Sequence, residues 1–187
     1  MNIETARLRI RDLKPGDGEG LFLIYSDEEV RRFIGGRPTQ TLDEQREQLA
    51  ATLERQSREE PGYGRWAVET LSDGRLVGVV ILKHPPDAED RPLAEVEVGW
   101  HLGRFAWGNG YATEAGRAML DHARDSLRLR IVYAIVLPDN VRSIGVVQRL
   151  GMTPLGLTQR YYGKEALHFA WEAMPFYPCL TPDLPTS

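Results

Sequence analysis

The stretch from Trp107 to Gly110, Trp-Gly-Asn-Gly, has the composition of an anion-binding turn. Its two glycines can adopt the positive φ angles that such a turn requires. From Tyr111 onward, apolar residues recur at helical spacing, so the turn opens directly into a predicted helix. The N–H groups of a helix's first turn have no intrahelical acceptor, and the helix dipole adds positive potential there. The stretch therefore predicts a binding site for an anion, best suited to phosphate.

The turn by itself does not identify one ligand, and a plain connection between a strand and a helix is an alternative interpretation. A dinucleotide-binding loop counted from Gly108 would carry a third glycine where Thr113 stands. A P-loop would require Gly-Lys-Ser or Gly-Lys-Thr, and neither occurs in the sequence. These two phosphate-binding motifs are excluded.

The residues before the turn predict the strand that leads into it. Val96, Val98, Trp100 and Leu102 alternate with residues of a different face, which is the period of two expected for a strand. Gly99 is expected to mark a bulge in this strand.

The order of the other predicted elements indicates an α/β fold. Two strands joined by an Asp-Gly hairpin precede the central strand, so this part of the sheet should be antiparallel. A strand reached through a helix is normally parallel to its predecessor, which gives residues 130–136 a parallel partner. The arginines of the first strand are expected on its solvent face. The predicted strands are residues 5–13, 65–70, 75–83, 95–102, 130–136, 153–161 and 166–173, and the predicted helices are 17–25, 27–36, 42–58, 143–150 and one from residue 111.

Length, composition and charge limit the class of protein. The 187 residues, 42% hydrophobic and 27% charged, suit one globular domain, predicted over residues 1–174 with a proline-rich tail at 175–187. A net charge of -4 gives no general attraction to nucleic acid. No apolar run is long enough to span a membrane, and the first residues lack the apolar core of a signal peptide. With Cys179 as the single cysteine, a cytoplasmic location is expected.

No metal site is predicted. His84, His122 and His168 have no acidic or cysteine partners at the spacing of metal ligands.

Two stretches together resemble a known family. The first is Trp-Gly-Asn-Gly-Tyr-Ala-Thr-Glu-Ala at residues 107–115, and the second is Asn-Val-Arg-Ser at 140–143 followed by Arg-Leu-Gly-Met at 149–152. The chain resembles the GNAT superfamily of N-acetyltransferases, and within it the branch that acetylates the N-termini of ribosomal proteins. The likeness extends from residue 4 to about residue 171. It implies a single-domain acyltransferase fold, a mixed and mostly antiparallel sheet of six or seven strands with helices on both faces, and acetyl-CoA as the co-substrate.

The resemblance also implies the residues that contact acetyl-CoA. Backbone amides from Gly108 to Thr113 would hold the pyrophosphate; Gly110 and Ala112 match the family pattern, whereas Trp107 replaces its first Gln or Arg. Asn140 and Ser143 would face the pantetheine arm, to which the strand edge from Trp100 to Leu102 would pair like an added strand. A helix-capping role of Asn140 is compatible with this. The predicted cofactor-binding residues are Trp100, His101, Leu102, Trp107, Gly108, Asn109, Gly110, Tyr111, Ala112, Thr113, Asn140 and Ser143.

Catalysis is predicted to rely on Glu97, on the same strand, as general base. A carboxylate is a weak base for an ammonium, so Glu97 should act through water or with a pKa raised by burial. The alternative is that Glu97 is only a strand residue facing solvent.

The general acid is not identified by the sequence. The family's tyrosine position, four residues before the glycine that ends the second helix, is occupied by Val147, which cannot donate a proton. Tyr161, Tyr162 or His168 could substitute, or solvent could reprotonate the leaving thiolate. Solvent is the preferred hypothesis.

The acceptor predicted from the resemblance is a primary amine, and a protein or peptide N-terminus is preferred. A small amine, such as an antibiotic or a polyamine, is the alternative substrate. A non-catalytic module that binds acyl-CoA is the alternative outside enzymes, and a homodimer is compatible with each of them.

Overall fold

The protein folds around one sheet of eight strands. The computed structural model describes residues 1–173; the predicted tail at 175–187, with Cys179, lies outside the described residues. The strands are β1 Asn2–Glu4, β2 Leu8–Asp12, β3 Gly64–Thr70, β4 Leu76–Lys83, β5 Glu97–Leu102, β6 Ile131–Val136, β7 Thr153–Thr158 and β8 Ala166–Glu172. The helices are α1 Gly18–Tyr25, α2 Glu28–Ile34, α3 Leu42–Gln56, α4 Tyr111–Asp125 and α5 Val141–Arg149, with short 3-10 turns at Pro15–Asp17 and Arg104–Ala106.

The sheet is antiparallel except at one pair of strands. Its order is β1-β2-β3-β4-β5-β6-β8-β7, and β5 with β6 is the parallel pair. Helix α4 connects these two strands, and a crossover through a helix returns the chain in the same direction. The two strands share the register pair Glu97 with Tyr133 and then diverge. The divergence opens a gap in the sheet.

Helices cover both faces of the sheet, as the sequence predicts. Helices α1, α2 and α3 pack on the face that carries Ala67, Val79 and Ile81. Helices α4 and α5 contribute Met119 and Val147 to the larger core on the other face. Strand β4 is buried along almost its whole length because both of its faces are covered, which explains its near-continuous run of apolar residues.

Three sequence predictions about the sheet and its arginines are corrected. The sheet has eight strands rather than six or seven, because a turn that starts at Thr5 separates β1 from β2. Strand β1 is too short for its sequence to show alternation. Gly99 is not a bulge: the register between β4 and β5 is unbroken from Lys83–Glu97 to Gly78–Leu102. The arginines of β2 do not all point to solvent, as described next for one of them.

Arg11 joins three elements through a largely buried ion-pair network. Its two terminal nitrogens donate to both carboxylate oxygens of Asp17 (2.8 and 2.7 Å), and its Nε donates to Oε1 of Glu69 (2.7 Å). The Asp17 side chain is only 4% exposed. Arg11 therefore fixes β2 and β3 to the segment that begins α1, on the face covered by α1 to α3.

Within residues 1–173, no helix has the length and apolar character that crossing a membrane would require.

Replacing Arg11 with methionine should lower the free energy of unfolding by about 3–5 kcal/mol, because it leaves the buried carboxylate of Asp17 without its partner. Urea unfolding at neutral pH measures the change. Arg9→Met is the matched control: Arg9 lies on the same strand, but its ion pair with Glu4 is exposed, so the loss should stay below about 1 kcal/mol. Equal losses in the two variants would contradict a structural role of the network.

Candidate functional site

Main-chain groups of β5 point into the gap that opens beside β6. Tyr133 of β6 donates its N–H to Val96 O (2.8 Å), whereas Gly103 donates its N–H toward β4 (3.0 Å). Because main-chain groups alternate in direction along a strand, those of Trp100 and Leu102 face the gap. One of them is already used, since Trp107 Nε1 donates to Leu102 O (2.9 Å).

The gap widens into a first cleft of about 490 Å³. Its walls are β5, the turn before α4, helix α5 and the apolar side chains of α2. Of the twelve predicted cofactor-binding residues, all except Asn109 line it. The lining residues are Val30, Phe33, Ile34, Trp100, His101, Leu102, Ala106, Trp107, Gly108, Gly110, Tyr111, Ala112, Thr113, Asn140, Val141, Arg142, Ser143, Gly145, Val146 and Arg149.

The turn before α4 has the backbone geometry that its glycines predict. Gly108 and Gly110 have φ angles of +80° and +78°, in the left-handed region that favours glycine. The first intramolecular N–H bond of the helix is donated by Glu114 to Gly110 O (3.0 Å). Within residues 1–173, the N–H groups of residues 108–113 have no acceptor. They form a concentrated set of free donors at the positive end of the α4 dipole.

The N-terminal segment clamps this turn through Glu114. Thr5 Oγ1 and the main-chain N–H of Arg7 both donate to Glu114 Oε1 (2.6 and 2.8 Å), and Arg7 Nε donates to Oε2 (2.7 Å). The Arg7 guanidinium also donates to Asn109 O (2.9 Å) and lies over the Tyr111 ring. We call Thr5, Arg7 and Glu114 the Glu114 clamp. Sequence reasoning missed it because its partners are more than 100 residues apart.

Asn109 supports the turn and does not line the cleft. Its side-chain amide donates to Ala106 O and Trp107 O (both 3.2 Å). The predicted ligand contact of this residue is therefore limited to its main chain.

Two arginines of α5 add positive charge to the first cleft. The Arg142 guanidinium lies 4.5 Å from the centre of the Trp107 ring, and Arg149 Nε donates to Thr113 Oγ1 (3.1 Å). Both lie within the second sequence stretch, yet neither was predicted as a site residue. The spacing of Arg142 and Arg149, which places both on one face of a helix, is the only sequence signal that points to them.

The start of α5 is joined to β5 by side-chain hydrogen bonds. Asn140 caps the helix, with its Oδ1 accepting the N–H of Ser143 (3.2 Å), so the predicted capping role is confirmed. Ser143 Oγ in turn accepts from Trp100 Nε1 (3.3 Å). These bonds fix the two walls of the first cleft relative to each other.

A second cleft of about 360 Å³ continues from the first on the face of the sheet covered by α1 to α3. It contains Glu97, Lys83, Arg65 and the residues of the turn before β8, Tyr161, Tyr162 and Lys164. The residues that line both clefts are Phe33, Ile34, Trp100, His101, Asn140 and Ser143.

Glu97 is buried in the second cleft, only 8% exposed, so the alternative of a solvent-facing strand residue is wrong. Burial raises the pKa of its carboxyl above the ordinary value, because the charged form loses hydration. The hydroxyl of Tyr162, which donates to Glu97 Oε2, and the charges of Lys83 and Arg65 act in the opposite direction. The raised pKa makes Glu97 a better proton acceptor than an exposed glutamate.

His101 does not act as the strand-edge residue that the sequence predicts. It pairs with Val79, and its main-chain groups point toward β4 rather than into the gap. Its side chain reaches both clefts, where Nδ1 is hydrogen-bonded to the Tyr25 hydroxyl (3.1 Å). Burial, with the charges of Arg65, Lys83 and Arg31, lowers the pKa of His101 to about 3, so its imidazole is neutral at neutral pH.

The candidate general acids occupy different environments. Val147 is fully buried in the core and lines neither cleft. Tyr161 is also buried, with its hydroxyl hydrogen-bonded to His168 Nε2 (3.2 Å). Tyr162 is the one whose hydroxyl contacts Glu97.

No group of three or more histidine, cysteine, aspartate or glutamate side chains suited to a metal ion occurs in the part of the chain that the structure describes.

Comparisons with known proteins agree with this geometry. A family model described as an acetyltransferase (GNAT) domain matches residues 7–153. The chain is 32% identical over 151 residues to the uncharacterized protein YkkB of Bacillus subtilis (strain 168), covering 79% of this chain and 83% of that protein. It is 27% identical over 161 residues to the uncharacterized N-acetyltransferase p20 of Bacillus licheniformis, covering 84% and 85%.

A solved structure shares the fold. It is that of a putative ribosomal-protein-serine acetyltransferase from Vibrio cholerae, and it superposes with a TM-score of 0.74 at 20% identity, covering 92% of this chain and 98% of that one. The family model matches most of the chain. The free amides of the turn before α4 and the divergence of β5 from β6 agree with that match. The chain belongs to the GNAT family of N-acetyltransferases.

Proposed function

We propose that this enzyme transfers an acetyl group from acetyl-CoA to the α-amine of a protein or peptide N-terminus, with Glu97 as general base. The observation that carries the proposal is the buried carboxylate of Glu97 in a second cleft that opens into the first. A buried carboxylate is a poor choice for a purely structural position, because burying its charge costs free energy. It suits a group that must accept a proton.

The first cleft fits the chemistry of coenzyme A. The free N–H groups of residues 108–113 would hold the pyrophosphate, and Arg142 and Arg149 add cations for further phosphate oxygens. The main-chain groups of Trp100 and Leu102 that face the gap would pair with the amides of the pantetheine arm, with Asn140 and Ser143 opposite. When bound, acetyl-CoA supplies the thioester whose acetyl group is transferred.

An α-amine is favoured over a lysine side chain as the acceptor because its pKa is lower. Only the neutral amine can attack, and an α-amine has a pKa of about 8, against about 10.4 for lysine. A carboxylate base can remove the proton of an α-ammonium at a smaller free-energy cost. The Vibrio cholerae protein that shares the fold is described as a putative ribosomal-protein-serine acetyltransferase, which is consistent with an acceptor of this class.

Tyr162 is proposed as a positioning residue and not as the general acid. Its hydrogen bond holds the Glu97 carboxylate toward the second cleft. Burial and the nearby Glu97 raise the pKa of the Tyr162 hydroxyl above its ordinary value of 10.0, whereas a thiol has a pKa of about 8.5. Proton transfer from Tyr162 to a thiolate would therefore be uphill, and solvent remains the preferred proton donor.

Replacing Glu97 with glutamine should lower kcat by about 10²- to 10⁴-fold, because glutamine keeps the shape and cannot accept the proton. The dissociation constant of coenzyme A should not change. Thiol release from acetyl-CoA with an N-terminal peptide measures the rate, and titration calorimetry measures binding. An unchanged rate at saturating peptide would remove Glu97 from the mechanism.

Glu172→Gln is the matched control for this variant. It changes an exposed glutamate of β8 and should keep the wild-type rate.

The Glu97→Gln variant should also unfold at a higher temperature than the wild type at pH 8, since it no longer buries a charge. A carboxyl whose pKa is raised on folding loses its stabilising contribution as pH rises through that pKa, so the difference between the two proteins should shrink toward pH 4.

Replacing Tyr162 with phenylalanine should move the acidic limb of the profile of kcat/KM against pH to higher pH. The hydrogen bond from Tyr162 favours the charged form of Glu97, so its loss raises the pKa of that carboxyl further. A series of initial rates from pH 5 to 9 measures the shift. If Tyr162 were the general acid, kcat would fall at all pH values and the acidic limb would stay in place.

Replacing Gly110 with valine should weaken coenzyme A binding by about tenfold or more, because a β-branched residue cannot adopt a φ of +78° without strain and the turn would reorganise. Gly74→Val is the matched control. Gly74 has a φ of +66° in a hairpin turn and lines neither cleft, so it tests strain alone. Titration calorimetry that finds the same affinity in both variants would argue against the turn as the pyrophosphate site.

A further inference from the structure

The second cleft holds more positive than negative charge. Its charged lining comprises Arg65, Lys83 and Lys164 against the single carboxylate of Glu97, while His101 is neutral. An enzyme that only had to admit an ammonium would be expected to show the opposite balance.

Strand register brings two of these cations to the face that carries Glu97. Lys83 is paired directly with Glu97 across β4 and β5. Arg65 on β3 pairs with Ile81, which pairs with Gly99, so all three lie in the next row of the same face. The strands are about 4.8 Å apart, and a guanidinium on β3 can therefore extend over Ile81 toward the carboxylate.

These cations form no ion pair with a carboxylate of the described chain, although the charges of Glu97 and Glu59 act on Lys83 from a greater distance. Within residues 1–173 the side chains of Arg65, Lys83 and Lys164 form no ion pair and no hydrogen bond; Lys83 only lies over the Tyr162 ring, 5.1 Å from its centre. Arg160, two residues before Tyr162, differs from them because it is paired with Glu95. The charge of Arg65 nevertheless reaches the site: burial raises the pKa values of Glu97 and Tyr162 and Arg65 opposes this rise, while Arg65 adds to the effect of burial in lowering the pKa of His101.

Unpaired cations in a cleft disfavour a cationic ligand. A polyamine would place several positive charges beside Arg65 and Lys83 with Glu97 as the single lining carboxylate, whereas a carboxylate on the ligand would supply an ion-pair partner for these cations. The same field lowers the pKa of an amine bound beside Glu97, which favours the neutral form that reacts.

Resting on the proposed function, we infer that the acceptor is an amine that also carries a carboxylate a few atoms away, bound by Arg65 with Lys83 and Lys164. A peptide whose first residue is acidic and a free amino acid both have this chemistry. The second cleft, of about 360 Å³, has room for a free amino acid or for the first residue of a peptide.

The test compares acceptors that differ only in charge. The probes are Asp-Ala-Ala-Ala amide, its Asn counterpart, free aspartate and spermidine, each with acetyl-CoA and thiol release as the readout. We expect the Asp peptide to exceed the Asn peptide by about tenfold or more in kcat/KM, and spermidine to be the poorest acceptor. A higher value for free aspartate than for the Asp peptide would assign the carboxylate to an amino acid rather than to a peptide side chain.

Substitution of Arg65 assigns the effect to this residue. Arg65→Met should lower kcat/KM much more for the Asp peptide than for the Asn peptide, mainly through KM, and so remove the preference; a smaller loss common to both peptides is expected because Arg65 also acts on the pKa of Glu97. Arg65→Lys keeps the charge and should retain part of the preference. Arg58→Met, an exposed arginine after α3, should behave as wild type. Thermal unfolding of each variant confirms that it is folded.

Binding measurements separate this inference from the proposed function. Titration of both peptides into the protein with coenzyme A present reports affinity without turnover. Absence of thiol release with every amine would refute the proposed function, while tighter binding of the Asp peptide that Arg65→Met abolishes would still support the anionic ligand. Equal affinities for the Asp and Asn peptides, a preference for spermidine, or an equal loss for both peptides in Arg65→Met would overturn it.

Discussion

Strands β5 and β6 share one register pair, Glu97 with Tyr133, and then part. This divergence is the constraint on which the rest of the site depends. It leaves the main-chain groups of Trp100 and Leu102 without a strand partner on that side, and it makes room for a ligand between two elements of one sheet. Glu97 lies at the point where the strands separate, so the proposed base lines the second cleft close to the start of the gap.

The two clefts use charge in different ways. The first presents free backbone amides and two arginines at the end of a helix dipole, an arrangement suited to phosphate. The second buries one carboxylate among cations that form no ion pair within residues 1–173. Burial raises the pKa of Glu97, whereas burial together with these charges lowers the pKa of His101. Desolvation raises the pKa of Glu97, while Tyr162, Lys83 and Arg65 limit that rise. These opposing effects leave Glu97 as a carboxylate that can accept a proton.

Ion pairs between residues far apart in the sequence stabilise the elements around the two clefts. The Glu114 clamp ties the N-terminal segment to the turn before α4, and Arg11 ties β2 and β3 to the start of α1. Each network includes a carboxylate that is largely shielded from water, so loss of one partner would leave a charge uncompensated. The N-terminal segment and β2 therefore support elements around the clefts, although neither of them lines a cleft.

The sequence by itself determined the local elements and the glycine turn before α4. Alternation at residues 96–102, the glycines at 108 and 110 and the Asn140 cap are properties of neighbouring residues, and local backbone preferences decide them. Only the tertiary structure decided that Glu97 is buried, that Tyr162 holds it and that Arg65 and Lys83 share its face without partners. Tyr162 and Glu97 are 65 residues apart, and their contact depends on strand order and loop path. No pattern of period two or 3.6 carries that information, because side-chain environment is set by which distant segments pack together.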